Sequence, residues 1–178
     1  NGGWTHSANG ALPNGTNAYA NTFLDPSVAL TINNTALGFY SGSSGVGGSA
    51  TSIGTRSVAG NFVSIVVNAS NLYYGQVNDT GSQTTSNTNS FGFFIASRIS
   101  STQKIHSIRG TNTTKTETST AIPAFAIYLG SINNAGTASS FTVHQHRLSF
   151  VSTSLSSSDC TALYTLVEAY QLALSRNT

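Results

Sequence analysis

Charged side chains are almost missing from this chain. Of its 178 residues only seven are Lys or Arg and five are Asp or Glu, 7% together, against roughly 25% in a usual soluble domain. The seven basic residues (Arg56, Arg98, Lys104, Arg109, Lys115, Arg147 and Arg176) are scattered singly, so no clustered cationic face exists to bind nucleic acid. A single cysteine, Cys160, excludes an internal disulfide. Its place in the first turns of a helical stretch predicts a small, partly buried hydrophobe and not a nucleophile. No run of 18 or more apolar residues occurs, so no spanning helix and no membrane insertion is expected. Methionine is absent and no signal-peptide pattern opens the chain, which suggests a processed product or fragment of something longer.

What fills the composition instead is Ser, Thr, Asn and Gly. These keep a surface soluble through neutral hydrogen bonds, and they favour strands and turns. Five Asn-x-Ser/Thr sequons, at Asn14, Asn33, Asn68, Asn78 and Asn112, are about what such a composition yields by chance and carry no information. Apolar residues recur in short alternating runs between polar clusters, the pattern of half-buried strands. The runs are 18–24, 36–42, 61–68, 71–77, 91–98, 104–110, 124–132 and 146–152. In "FGFFIASR" (91–98) Phe91, Phe93 and Ile95 share one face and Phe94 and Ala96 the other, so this strand is expected at the centre of a sheet. Residues 41–51 read as a flexible glycine-serine loop without the Gly-Lys-Ser/Thr ending of a phosphate cradle. Residues 78–90 read as a long polar loop, and 110–120 as a loop or an edge strand with Lys115 and Glu117 facing water.

One segment breaks the pattern. "SLSSSDCTALYTLVEAYQLAL" (154–174) predicts a helix over about 157–176, with Ser156 as N-cap and Asp159 three residues on completing a capping box. Leu163, Leu166, Val167, Tyr170 and Leu174 form one apolar stripe, expected to pack on the domain itself. The fold class that follows is an all-β, antiparallel two-sheet sandwich with one C-terminal α-helix packed on it, a single domain over 1–178.

Four stretches, 1–27, 91–98, 127–142 and 148–176, resemble a domain found in structural and tail proteins of tailed bacteriophages, a concanavalin A-like or laminin-G-like jelly roll. In that family the last strand leads through a glycine-containing turn into a helix that ends in Leu-Gly-Arg. The corresponding residues here are Ser154, Leu155, Ser156 and Asp159, then Leu174, Ser175 and Arg176. Serine replaces glycine at 154 and 175, and Asp159 replaces glutamate. The resemblance implies a jelly-roll sandwich on a virion, extracellular, in contact with other virion proteins and as a homo-oligomer. It does not imply a particular ligand, because folds of this kind host lectins, glycosidases and inert modules alike.

The residues themselves narrow the chemistry. A glycosidase needs two carboxylates across one bond. Asp25, Asp159 and Glu168 belong to a turn and the helix, leaving Asp79 with Glu117 as the only pair that could serve a depolymerase. His144 and His146 alternate along one run, as two ligands of a shared ion would. No third ligand can be assigned between His6 and His106, so no metal and no cofactor is expected. Sugar binding needs an aromatic platform and neutral hydrogen-bonding partners. The candidates are Tyr73 and Tyr74 (one core, one exposed), with Gln76, Asn78 and Asp79 following them, and Trp4 beside His6. The expected function is an adhesion domain that binds a glycan or host-surface polymer weakly and in many copies, without catalysis. The alternative is a structural capsid-decoration, fibre or tail module without a ligand.

Overall fold

The computed structural model describes residues 1–45 and 48–176, so part of the expected glycine-serine loop lies outside the described residues. The chain opens with β1 (Trp4–Ser7), β2 (Gly10–Pro13), β3 (Ala20–Asn21) and the one-turn helix α1 (Pro26–Ala29). There follow β4 (Thr35–Ser41), β5 (Ile53–Arg56), β6 (Phe62–Ala69), β7 (Leu72–Asp79) and β8 (Thr85–Ser86). Next come β9 (Gly92–Arg98), β10 (Gln103–Ile108), β11 (Thr111–Thr116), β12 (Tyr128–Leu129), β13 (Ile132–Asn134) and β14 (Thr137–Ser139). The last strand, β15 (His146–Ser152), precedes the long helix α2 (Ser157–Ala173).

Two sheets face each other. The first runs β1-β2-β15-β4-β9-β10-β11, and the second β14-β13-β5-β6-β7-β8 with β12 bridging β5 and β3. Pairing between these strands is antiparallel except between β13 and β5, and an isolated bridge from Thr51 to Phe141 is also parallel. The main core lies between the sheets, with Leu37, Phe39, Ile53, Val63, Ile65, Tyr73, Phe94 and Ala96 at its heart. A second core lies on the other side of the first sheet, where Tyr40, Phe93, Ile95 and Ile105 meet Cys160 and Val167 of α2. The molecule is thus layered helix–sheet–sheet, and β9 is apolar on both faces because both of its faces are covered. It sits between β4 and β10, as its pattern predicts. Residues 111–116 form the edge strand β11, with Lys115 half-buried.

Turn chemistry sets the registers. Ser70 and Asn71, both left-handed (φ 54° and 63°), close the β6–β7 hairpin, and Arg109 with Gly110 (φ 49° and 79°) close β10–β11. Successive positive φ values suit the right-handed twist of paired strands.

Helix α2 starts as expected. The Ser156 hydroxyl accepts from the Asp159 amide, and the Asp159 carboxylate accepts from the Ser156 amide. The face it buries overlaps the expected one only at Leu163 and Val167. Cys160, Val167 and Gln171 are buried and Leu163 and Tyr164 pack partly, whereas Leu166 (68% exposed) and Tyr170 (54%) point to solvent. The sheet face beneath α2 already carries the large rings of Tyr40, Phe93 and Phe150. The helix meets it with Cys160, Leu163, Tyr164 and Val167, and Leu166 and Tyr170 are left outside.

Candidate functional site

The structure separates the residues that the sequence grouped as one sugar platform. Tyr73 points inward and is fully buried, stacked on Phe94 with ring centroids 5.7 Å apart and edge-on to His106 at 5.1 Å. Burial raises its phenol well above the ordinary range. Tyr73 is core and not a platform. Tyr74 faces the other way and is half-buried, the inside–outside split that period-two alternation requires. With Ser49, Val66, Ala69 and Gln76 it borders a shallow depression of about 270 Å³ on the outer face of the second sheet. Gln76 is itself buried, its Oε1 accepting from the Ser64 hydroxyl at 2.5 Å.

Asn78 and Asp79 do not enter a loop. They end β7, and the register shift between β6 and β7 marks a bulge there, with Asn78 in the left-handed region (φ 58°). A bulge re-aims the side chains around it. The Asn78 amide donates to the Ile32 carbonyl at 2.9 Å and the Thr35 hydroxyl at 3.0 Å. Asp79 is fully buried, 2.6 Å from Arg98 and 2.8 Å from Lys104. Lys104 also holds Glu117 at 2.7 Å. Asp79 and Glu117 therefore come together, but around a shared lysine. Burial pushes the Glu117 carboxyl up, and the hydrogen bonds from Lys104 and Ser82 with the Lys104 charge outweigh it, leaving it below its ordinary value. A general acid needs the opposite shift. This pair is joined through Lys104 into an ion-pair clasp between the sheets.

Trp4 takes a different position. It lies half-buried on β1, at the end of the first sheet where the β1–β2 hairpin hangs beyond β15. Its ring passes over Gly130, where an added Cβ would come within 2.8 Å of it, and meets His146 edge-on at 5.3 Å. Between this hairpin and the β3–β12 pair of the second sheet is a cleft of about 450 Å³. Trp4, His6 and Ala11 line one wall, Ala20 and Leu129 the other, and His146 borders it from β15. The volume falls within the 300–1,000 Å³ range usual for small-molecule sites. An indole beside small apolar groups, with imidazoles to hydrogen-bond, can hold a neutral ring.

His144 and His146 both turn into the sandwich and are buried. His144 Nδ1 is 2.7 Å from the Thr142 hydroxyl and 3.2 Å from that of Ser52. Among the described residues no group of three or more His, Cys, Asp or Glu side chains is placed to hold a metal ion. Trp4 and His6 were legible as neighbours in sequence. Ala20, Leu129 and His146 come from distant strands, and no local motif could have announced them. No protein-family model matches the chain, and no curated protein matches it.

Proposed function

We propose that this is a non-catalytic adhesion domain that binds neutral carbohydrate in the Trp4 cleft. The observation that carries the reading is the half-buried indole forming one wall of a 450 Å³ inter-sheet cleft. A charge-poor surface supports it, because neutral sugars are held by apolar ring faces and uncharged hydrogen bonds. The setting, exposed on a phage virion or otherwise extracellular, rests on the sequence resemblance. Single-site affinity in so open a cleft is weak, and display in many copies would raise avidity by roughly 10²–10⁴. The test is a glycan-array screen of the domain on a multivalent carrier, beside a folded Trp4→Ala variant and a Tyr74→Ala variant. Selective binding that Trp4→Ala loses and Tyr74→Ala keeps supports the cleft. The reverse pattern moves the site to the Tyr74 depression, and silence across the array removes the carbohydrate reading.

A second reading has its own observation. Leu166, Tyr170 and Leu174 of α2 and its C-cap are 40–68% exposed, an apolar stripe of the kind that another subunit covers. In this reading the domain is a structural module of the particle, a homo-oligomer joined through α2. Light scattering of the wild-type chain and of a Leu166→Lys/Tyr170→Lys variant tests it. An oligomer that the variant dissolves supports the module, and a monomer at high concentration overturns it.

A further inference from the structure

Three of the four histidines are buried, and they differ in one respect. His106 is bonded at both ring nitrogens, Nε2 to the Gly75 carbonyl at 2.8 Å and Nδ1 to the Thr85 hydroxyl at 2.9 Å. His144 has hydroxyls of Thr142 and Ser52 at its Nδ1. His146, 8% exposed, has no hydrogen-bond partner at either nitrogen among the described residues. Its ring is clasped edge-on between Trp4, 5.3 Å away, and Phe39, 4.6 Å away. Aromatic packing holds the imidazole in place without satisfying its polar atoms. Buried polar groups are almost always paired, and one that is not calls for a specific explanation. Here the explanation lies beside it, because His146 borders the Trp4 cleft, although both of its nitrogens are screened from solvent, so a ligand that bonds them must displace a covering side chain.

We infer that His146 is the specificity-determining residue of that cleft, hydrogen-bonding a hydroxyl of a neutral sugar whose apolar face lies against Trp4. The inference rests on the carbohydrate reading above and adds to it the recognising atom and the charge of the ligand. Burial first, and the neighbouring His144 second, push the His146 imidazole down to about 3, so it is neutral at physiological pH. A neutral imidazole offers one donor and one acceptor, and a hydroxyl can answer either. A carboxylate or phosphate would instead need a cation at this place. Arg147 and Asn1 also border the cleft, but the Arg147 guanidinium, its Nε unpartnered among the described residues, donates to the Arg176 carbonyl and lies over the Phe91 ring at 5.3 Å, and the Asn1 ammonium donates to the Tyr19 carbonyl at 2.7 Å. The opposite wall is the apolar pair Ala20 and Leu129. An uncharged, hydroxyl-bearing ring fits this set of groups best.

The experiment is nitrogen-15 NMR of the histidine side chains while methyl glycosides of glucose, galactose, mannose and N-acetylglucosamine are added in turn. The expected result is a saturable shift of the His146 ring nitrogens with at least one glycoside. His146→Phe, which keeps the ring contacts with Trp4 and Phe39 but removes the nitrogens, should weaken that glycoside by roughly 10-fold or more, the loss expected for one buried hydrogen bond. The wild-type spectra give the first answer without any variant, so a poorly folding substitution does not block the test. If a glycoside perturbs the Trp4 indole while the His146 nitrogens stay still and His146→Phe binds equally well, the role of His146 is overturned and the cleft reading stands. If no glycoside perturbs either residue, both fall together.

Discussion

Arg98 and Asp79 face each other across the two sheets, guanidinium to carboxylate at 2.6 Å, with neither side chain reaching solvent. Arg98 comes from β9 of the first sheet and Asp79 from β7 of the second. The contact is extended by Lys104, 2.8 Å from the same carboxylate, and by Arg98 Nε donating to the Val77 carbonyl at 2.9 Å. In a chain with seven basic and five acidic side chains, two of each meet here, and the cluster is neutral overall. Such a group is a poor source of net stability but a costly thing to break, because removing one partner strands the others away from water. Asp79→Asn should therefore destabilise the protein by about 3–5 kcal/mol. Urea unfolding would show this as a lower midpoint, and an unchanged midpoint would mean the cluster is hydrated in solution.

His106 makes the domain sensitive to acid. The Gly75 carbonyl can only accept, so Nε2 carries the proton and the Thr85 hydroxyl donates to Nδ1. The ring is thus held neutral. Burial foremost, then the Lys104 charge, lower its pKa from 6.5 to about 3. In the unfolded chain the same imidazole takes up a proton near 6.5, so the unfolded state binds more protons between the two values. Stability is complete above pH 6.5 and is lost as the pH falls towards 3, at up to about 1.4 kcal/mol per pH unit for this group. Melting temperatures measured from pH 7 to pH 4 should fall, and His106→Gln should make the fall less steep while lowering its pH 7 end, buried His146, lowered likewise to about 3, keeping its own share. A profile equally steep in the variant would assign the acid sensitivity elsewhere.

The sequence conveyed what depends on short-range pattern. Residues 146–152 alternate as a strand and form β15 over the same span, and 91–98 is apolar on both faces because a sheet covers one side and a helix the other. The capping box was readable because its partners are three residues apart. The buried side of α2 was not, because apolar residues occur all round that helix and only the shape of the sheet beneath selects among them. Asp79 was misplaced for a similar reason. A bulge at Asn78 turns a residue that reads as the start of a loop into the interior, and its cationic partners lie 19 and 25 positions away. The Trp4 cleft takes its walls from two stretches far apart in the chain, 1–20 and 129–149. One wall was visible as an aromatic near the start, and the rest exists only in the assembled sandwich.

Cys160 should be chemically silent. It is fully buried on the side of α2 that meets the first sheet, and burial first, then the Asp159 charge, push its thiol up to about 11. The thiolate is the reactive form, so both its scarcity and its burial slow alkylation. At pH 8 iodoacetamide should label the native protein far more slowly than a free cysteine, and urea should restore the free rate as the helix leaves the sheet. Rapid labelling without denaturant would show that α2 detaches readily.

Gly38 offers a test in which two physical effects predict opposite signs. It lies in β4 directly opposite Phe150 of β15, and the Phe150 ring covers it so closely that an added Cβ would sit 2.0 Å from a ring carbon. Backbone entropy alone favours alanine over glycine within a strand by roughly 0.5–1 kcal/mol. Steric overlap opposes it, since over-filling a packed site costs about 1–3 kcal/mol. Phe150 cannot step aside freely, because its ring also packs against Phe93 at 6.1 Å in the layer under α2. The overlap should win, so Gly38→Ala lowers the unfolding midpoint. Adding Phe150→Leu to that variant should recover part of the loss, although Phe150→Leu alone is destabilising. Two close, coupled residues give such non-additivity. A double-mutant cycle by urea unfolding measures it, and simple additivity would show that the ring is not held over the glycine.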